Sequence, residues 1–395
     1  MTVAATKTWV HVLEGLNAFA CTLYFQYLLF HLRDQFGFGQ QESLLCLALH
    51  GLIYTGAAWA GGRFGQRQGY LTALRLGFAG MAGVLLLASF WPTNCAVQII
   101  AMVGWTVAQC LTWPIIEAVV SENETRAGVA RRVGLYNVIW AAVGALAFCS
   151  GGTLIKHLGP HSLYWLPAGL HLLQLAVLVF IAPGVRTAHA QAGHTPPEPH
   201  VPEAAAFKQK VSPQVFLKMV WLAIPFAYIA INTMLAAVPQ RSRALGLDNA
   251  QAGMFWSIWF FVRLAAFAVL WQWTGWHYRF RWLLAAYVGL LGSFGVLMLA
   301  QSLWALAAAQ AVFGCSAGLI YYSSLFYAMD VGEAKGEHGG MHEAAIGAGI
   351  CLGPALAALT LHFLPSQPQS GAWAVAGLMV VGLAALSLMR LRASR

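Results

Sequence analysis

Charge is scarce in this sequence: Asp, Glu, Lys and Arg make up 9% of the residues, against 59% that are hydrophobic. A soluble globular domain carries about a quarter of its residues as charges, so the composition excludes one. The formal net charge of +9 does not indicate a nucleic-acid partner, because the basic residues stand singly between apolar runs and build no basic stripe. Strict apolar-polar alternation is also missing, which argues against a membrane barrel. The seven cysteines, Cys21, Cys46, Cys95, Cys110, Cys149, Cys315 and Cys351, include no CxxC pair. Neither a zinc site nor a disulfide framework is indicated, and each reads as a small buried residue at a helix contact. No G-x-x-x-x-G-K-[ST] loop and no H-E-x-x-H run occurs, which argues against an ATP-driven pump and against an intramembrane enzyme built on His and Glu. No metal and no cofactor is implied.

What the chain has is long apolar runs. A spanning helix needs about 20 mostly apolar residues, and that ruler predicts twelve, over residues 9–30, 43–62, 71–90, 95–119, 133–156, 162–182, 215–237, 250–272, 281–300, 303–328, 340–363 and 371–390. The first carries Glu14 and Asn17 and lacks a small-residue cleavage site, so a retained helix is expected rather than a signal peptide. One polar interval, rich in proline at Pro196, Pro197, Pro199 and Pro202, reads as a linker over 184–214 between six-helix bundles at 1–183 and 215–395. The expected fold class is an all-α membrane protein of twelve transmembrane helices in two pseudo-symmetric bundles. A shift of 206 residues superposes Gly69 on Gly275, Arg75 on Arg281, Gly83 on Gly289 and Gly134 on Gly340, and parallel six-helix repeats are one architecture of secondary transporters. With the N-terminus inside, only Arg33, Lys156, Arg241 and Arg243 of the 22 Lys and Arg fall outside, and Arg263 falls within a span. The positive-inside rule then predicts a multi-pass protein of the cytoplasmic (inner) membrane with both termini cytoplasmic.

Polar residues inside such spans are functional candidates, because burying a charge in lipid costs on the order of 3 kcal/mol. The first segment carries Glu14, Asn17, Cys21 and Tyr24 on one stripe, a cavity lining or a polar contact with a neighbouring helix. The fourth offers Trp105, Gln109 and Trp113, which stack on a planar ligand or pack. The seventh offers Tyr228 and Asn232, and the tenth Gln310, Gly314, Ala317, Tyr321 and Ser324. Four helices with one polar stripe each are what a solute cavity requires. Trp256, Trp259 and Arg263 share a face of the eighth segment, a geometry that permits cation-π contact. Arg263 binds an anionic group there, or balances a carboxylate such as Glu343, or bonds helix carbonyls. Glu117 ends the fourth segment as a solvated residue. His342 and Glu343 open the eleventh, where the macrodipole favours a negative charge.

Gly62-Arg63-Phe64-Gly65-Gln66-Arg67-Gln68-Gly69, between the second and third segments, resembles the signature loop of the major facilitator superfamily, with Gln66 at the usual acidic position and Tyr70 replacing a basic one. Gly349, Gly353 and Pro354 resemble a Gly-Pro helix motif found in helix 5 of antiporters; the fifth segment here has Gly144, Gly151 and Gly152 but no such proline. The resemblance covers essentially the whole chain. It implies that helices 1, 4, 7 and 10 line a central cavity and that the 2-3 loop lies against the start of helix 11. On that reading Glu343 pairs with Arg63 or Arg67 to latch the inside closed, with His342 tuning its proton affinity. The expected function is proton-coupled symport of a small polar or anionic metabolite by alternating access, in a monomer whose partners are substrate, proton and membrane lipid. Multidrug or metabolite efflux by antiport is the alternative, and a transporter-like sensor is a further one.

Overall fold

The structure is a computed structural model that describes residues 3–121, 126–192, 211–331 and 335–393. Within them are fourteen α-helices and no strand, because a bilayer interior offers backbone amides no water and a helix satisfies its own. The chain divides into two compact units. One comprises Met1–His31, Ile53–His200 and Ala334–Ala344; the other comprises Leu32–Leu52, Val201–Glu333 and Ala345–Arg395.

The first unit contains α3 (Tyr70–Ala88), α4 (Cys95–Gln109), α5 (Trp113–Ser121), α6 (Arg126–Leu158) and α7 (Ser162–Ala192). The second contains α8 (Pro213–Ala244), α9 (Asn249–Trp256), α10 (Ile258–Gln272), α11 (Phe280–Leu299), α12 (Leu303–Val331) and α14 (Ser370–Ala393). Three helices, α1 (Val3–Phe36), α2 (Gln40–Gln68) and α13 (Lys335–Phe363), contribute residues to both. Among the described residues eleven spans are long and apolar enough to cross a bilayer, with α4 and α5 counted together as Cys95–Val120 and α9 and α10 as Asn249–Gln272. α1 is also long enough, but its polar stripe keeps its hydropathy below theirs. Outward residues such as Leu87, Ile100, Val179 and Val381 are exposed and apolar, the surface a lipid-facing helix presents.

The helix boundaries follow from local chemistry. Asn94 caps α4 by accepting from Val97 N–H at 3.1 Å, and Asp248 with Gln251 forms a capping box at α9. The fourth span is interrupted because Thr112 turns its hydroxyl onto Gln109 O at 2.7 Å and Pro114 follows with no N–H to continue the ladder. Ser257 interrupts the eighth, its hydroxyl bonded back to Met254 O at 2.8 Å.

Three expected boundaries move. The 62–69 stretch is helix up to Gln68, so the junction to α3 shrinks to Gly69, whose φ of 91° suits only glycine. α7 runs to Ala192, into the start of the expected linker; residues 193–210 lie outside the described ones. α13 begins at Lys335, so Glu343 stands in its third turn and not at its start. The macrodipole therefore does not account for Glu343, since its effect fades beyond the first turn.

Close approach of α13 to α8 needs glycine at one place in particular. A Cβ on Gly349 would stand 2.3 Å from Pro225 O, so any larger residue would push the two helices apart. Pro354 lies inside α13, which continues to Phe363.

Candidate functional site

In the second unit the site forms around Arg263. α10 carries it well inside the span, 5% exposed, with its guanidinium 4.7 Å from the Trp259 ring centre and 4.8 Å from that of Phe260. Those partners precede Arg263 by four and three residues, the separations that meet on a helix face. Trp256 does not join them. It lies seven residues away, about two turns or 10 Å along the axis, and its indole N–H donates to Ser242 Oγ at 3.0 Å. Phe260, absent from the sequence expectation, takes the second place in the aromatic shell.

α12 closes this shell from the side. A Cβ on Gly314 would stand 2.5 Å from Trp259 O, so glycine is what lets α12 reach the Arg263 turn. Phe313 meets Trp259 edge-on at 5.5 Å, and Tyr321 lies 5.8 Å from Phe267 and 6.5 Å from Tyr228. Tyr228 of α8 and Tyr321 are both within electrostatic reach of Arg263. Gln310, one turn from Gly314 on the same stripe, is 0% exposed, and neither its amide oxygen nor its nitrogen meets a hydrogen-bond partner among the described residues. The Trp259 indole N–H is likewise buried without one. Buried polar groups are nearly always paired, so these two are unmet hydrogen-bonding capacity on the two helices, α10 and α12, that pack at Arg263. Asn232 spends its amide on Tyr228 O at 3.0 Å, and Ser324 its hydroxyl on Tyr321 O.

The first unit buries acids. Glu14 is 0% exposed, with one carboxylate oxygen 2.9 Å from His11 Nδ1. One turn on, Asn17 donates to Thr112 Oγ1 at 3.2 Å and accepts from the Cys21 thiol at 3.6 Å, so part of the α1 stripe joins α1 to the α4–α5 break. Tyr24 packs edge-on against Trp105 at 5.0 Å, and Trp105 stacks with Phe25 at 5.9 Å. Gln109 and Trp113 are buried on the same span. Glu117 is half-buried in α5, not solvated at a helix end, and lies within electrostatic reach of Glu14 and Glu343.

Glu343 is 7% exposed and accepts a hydrogen bond from the Tyr54 hydroxyl at 2.5 Å, with His342 buried beside it. The expected latch onto Arg63 or Arg67 is not what forms here. Both arginines are exposed, and Arg63 lies over the Trp59 ring at 4.1 Å. A guanidinium gains more from water and an aromatic face than from following a carboxylate into a buried site. Tyr54 went unnoticed in sequence reasoning, as did Asn137 of α6, which is fully buried with both amide atoms unpaired among the described residues. A lone amide in an apolar run was the available signal for Asn137; nothing local marked Tyr54.

The sequence model described as Major Facilitator Superfamily matches residues 10–354. The chain belongs to that superfamily. Among solved structures, the human organic anion transporter MFSD10 (TETRAN) is similar with a TM-score of 0.70 at 13% identity, over 98% of this chain and 100% of that one. The nucleoside transporter NupG is similar, in a form carrying a single substitution, with a TM-score of 0.68 at 14% identity, over 97% and 99%. Without that substitution the values are 0.66 and 14%, over 97% and 98%. No curated protein matches the sequence. Identities this low show a shared fold. Superfamily membership points to a multi-pass membrane transporter of a small molecule rather than to an enzyme.

Proposed function

We propose that this protein is a proton-coupled symporter of the inner membrane that takes up a small anionic metabolite, with the substrate bound at Arg263. The observation that carries this reading is a guanidinium 5% exposed in a shell of Trp259 and Phe260, on a pair of helices that also carry hydrogen-bonding groups with no partner among the described residues, Trp259 Nε1 on α10 and the Gln310 amide on α12. A carboxylate or similar anion supplies acceptors for all three. Tyr228 and Tyr321 then bound the solute from α8 and α12. Proton coupling rests on the buried Glu14 and Glu343, which can each release a proton while the chain moves substrate by alternating access between residues 1–183 and 215–395, linked through 184–214.

Proteoliposomes holding the purified protein test this. An acid-outside pH gradient is expected to drive accumulation of a labelled organic acid, an uncoupler to collapse it, and Glu343→Gln to flatten its pH dependence. Binding without accumulation would instead identify a sensor. Export of unrelated lipophilic cations, unchanged in Arg263→Ala, would overturn the reading in favour of efflux.

A further inference from the structure

A basic cluster separate from Arg263 lies in the same unit, drawing Arg279 and Arg281 from just beyond α10 and Arg390 from the end of α14. The start of α8, the start of α11 and the end of α14 border an open surface pocket of about 510 Å³ lined by Phe216, Tyr278, Arg279, Phe280, Arg281 and Arg390. Three guanidiniums and three aromatic rings line it, and no carboxylate does. Arg390 lies 5.9 Å from the Phe280 ring centre, and its Nη1 is buried with no hydrogen-bond partner among the described residues. Arg279 and Arg281 are exposed, and none of the three forms an ion pair among the described residues.

The backbone reinforces the charge. Arg279 is the N-cap of α11 with no side-chain cap, so Phe280 and Arg281 lie in the first turn of a 20-residue helix. First-turn amides have no intrahelical acceptor and stand at the positive end of the macrodipole. The lip is also fixed in place. Tyr278 has a φ of 52°, a left-handed conformation rare for a ring-bearing residue. It is held there by its N–H, which donates to Tyr327 Oη at 2.8 Å, and by its hydroxyl, which donates to Asp330. His277 stacks on Phe326 at 4.0 Å and Trp276 Nε1 donates to Leu270 O at 3.2 Å. A conformation held against strain by four contacts is a preformed wall, and Asp330, the nearby acid, is engaged by the Tyr278 hydroxyl.

We infer that this pocket is a phosphate-group site that takes the headgroup of an anionic phospholipid. Guanidiniums and helix N-termini are suited to phosphate oxygens. The lipid source is favoured because Leu388 and Leu391, flanking Arg390 on α14, are 53% and 60% exposed, an apolar strip on which acyl chains can lie while the phosphate sits among the arginines. Basic pockets between spanning helices bind acidic headgroups in this way.

The full-length protein in nanodiscs provides the test. Thermal midpoints are measured in phosphatidylcholine alone, with increasing phosphatidylglycerol, and in phosphatidylcholine with millimolar inorganic phosphate, for wild type, Arg390→Gln and the exposed pair Arg279→Gln with Arg281→Gln. Phosphatidylglycerol is expected to raise the wild-type midpoint, and each variant to need about tenfold more of it, the loss expected for one charge-assisted contact. Midpoints in phosphatidylcholine alone report whether a variant still folds, and the surface pair carries the test where Arg390→Gln does not. Equal phosphatidylglycerol responses in wild type and the surface pair would overturn the site. A response reproduced by inorganic phosphate, with nothing added by the lipid, would overturn the lipid assignment in favour of a soluble anion.

Discussion

Arg33 and Arg263 are buried to nearly the same depth in the same unit, at 6% and 5% exposure, yet their surroundings are opposite. Around Arg33 the donors are used: Nε bonds Asp34 at 2.7 Å, Nη1 bonds Pro239 O at 2.6 Å and Nη2 bonds Asn249 at 2.7 Å. Asn249 and Arg243 return to Asp34 at 2.9 and 3.3 Å, and Gln240 beside them donates to Phe38 O at 2.9 Å. Around Arg263 the rings of Trp259 and Phe260 take the cation, and Gln310 and the Trp259 N–H keep their capacity. A cluster that satisfies itself gains nothing from a ligand. One that holds donors and acceptors in reserve on the helices that pack at a charge has a reason to bind, because unmet buried groups cost about 1–3 kcal/mol each until something meets them.

The widest separation between the two arginines is expected from truncation. Arg263→Ala should cut uptake of the anionic substrate about 100-fold, the scale of losing one partner of a desolvated charged contact, with a thermal midpoint equal to wild type or higher. Arg33→Ala should do the reverse, costing about 3 kcal/mol of stability by stranding Asp34, Asn249 and the Pro239 carbonyl, while correctly folded molecules keep their substrate affinity. Uptake and unfolding measured on the same preparations decide it. The contrast fails if Arg263→Ala unfolds the protein or if Arg33→Ala abolishes binding in the folded fraction.

A smaller effect is expected one helix away. Gln310→Leu replaces a buried amide, without partner among the described residues, by an apolar side chain of similar size. Such a change is neutral or stabilising by about 1 kcal/mol where the amide serves structure alone. If Gln310 is kept for the substrate, the same variant should raise the half-saturation concentration about fivefold, which is roughly 1 kcal/mol of lost contact. A more stable protein with unchanged half-saturation would mean that Gln310 takes no part in the Arg263 site.

How far these clusters were legible follows from the range of the interactions that build them. Twelve spans and an all-helical fold were readable because apolar runs of that length have one solution in a bilayer. Arg263 stood out because a guanidinium inside such a run is costly. Its real partners were within reach of the same logic, since Trp259 and Phe260 lie four and three residues before it, while Trp256 was drawn in by face alone with no allowance for axial distance. Tyr54 on Glu343 was not legible: 289 positions separate them, and no local pattern pairs residues across that distance. The expected pairing of Glu343 with Arg63 or Arg67 is not formed in this structure, where the end of α2 that carries them is helix and not a loop. Glu343 looked like a helix-start residue only because the apolar run begins near it, whereas α13 begins at Lys335.

The smallest expected effect concerns pH, and it separates the self-satisfied cluster from the chemistry of transport. Partial burial pushes the Asp34 carboxyl up, but hydrogen bonds from Arg33 and Asn249 and the charges of Arg33 and Arg243 outweigh it, so the group sits below the ordinary carboxylate range. A carboxyl held low when folded contributes stability that is complete above its unfolded pKa of about 3.9 and is lost as pH falls through the lower folded value. Asp34 is 34% exposed, so water screens much of that contribution. The difference in thermal midpoint between wild type and Asp34→Asn should therefore be small, constant from neutral pH to about pH 5, and should close only below about pH 4. Any pH dependence of uptake between pH 5 and 8 must then arise elsewhere, and the same dependence should persist in Asp34→Asn. A midpoint difference that already closes near pH 6 would mean that the cluster does not hold its acid low, and the contrast with Arg263 would lose its basis.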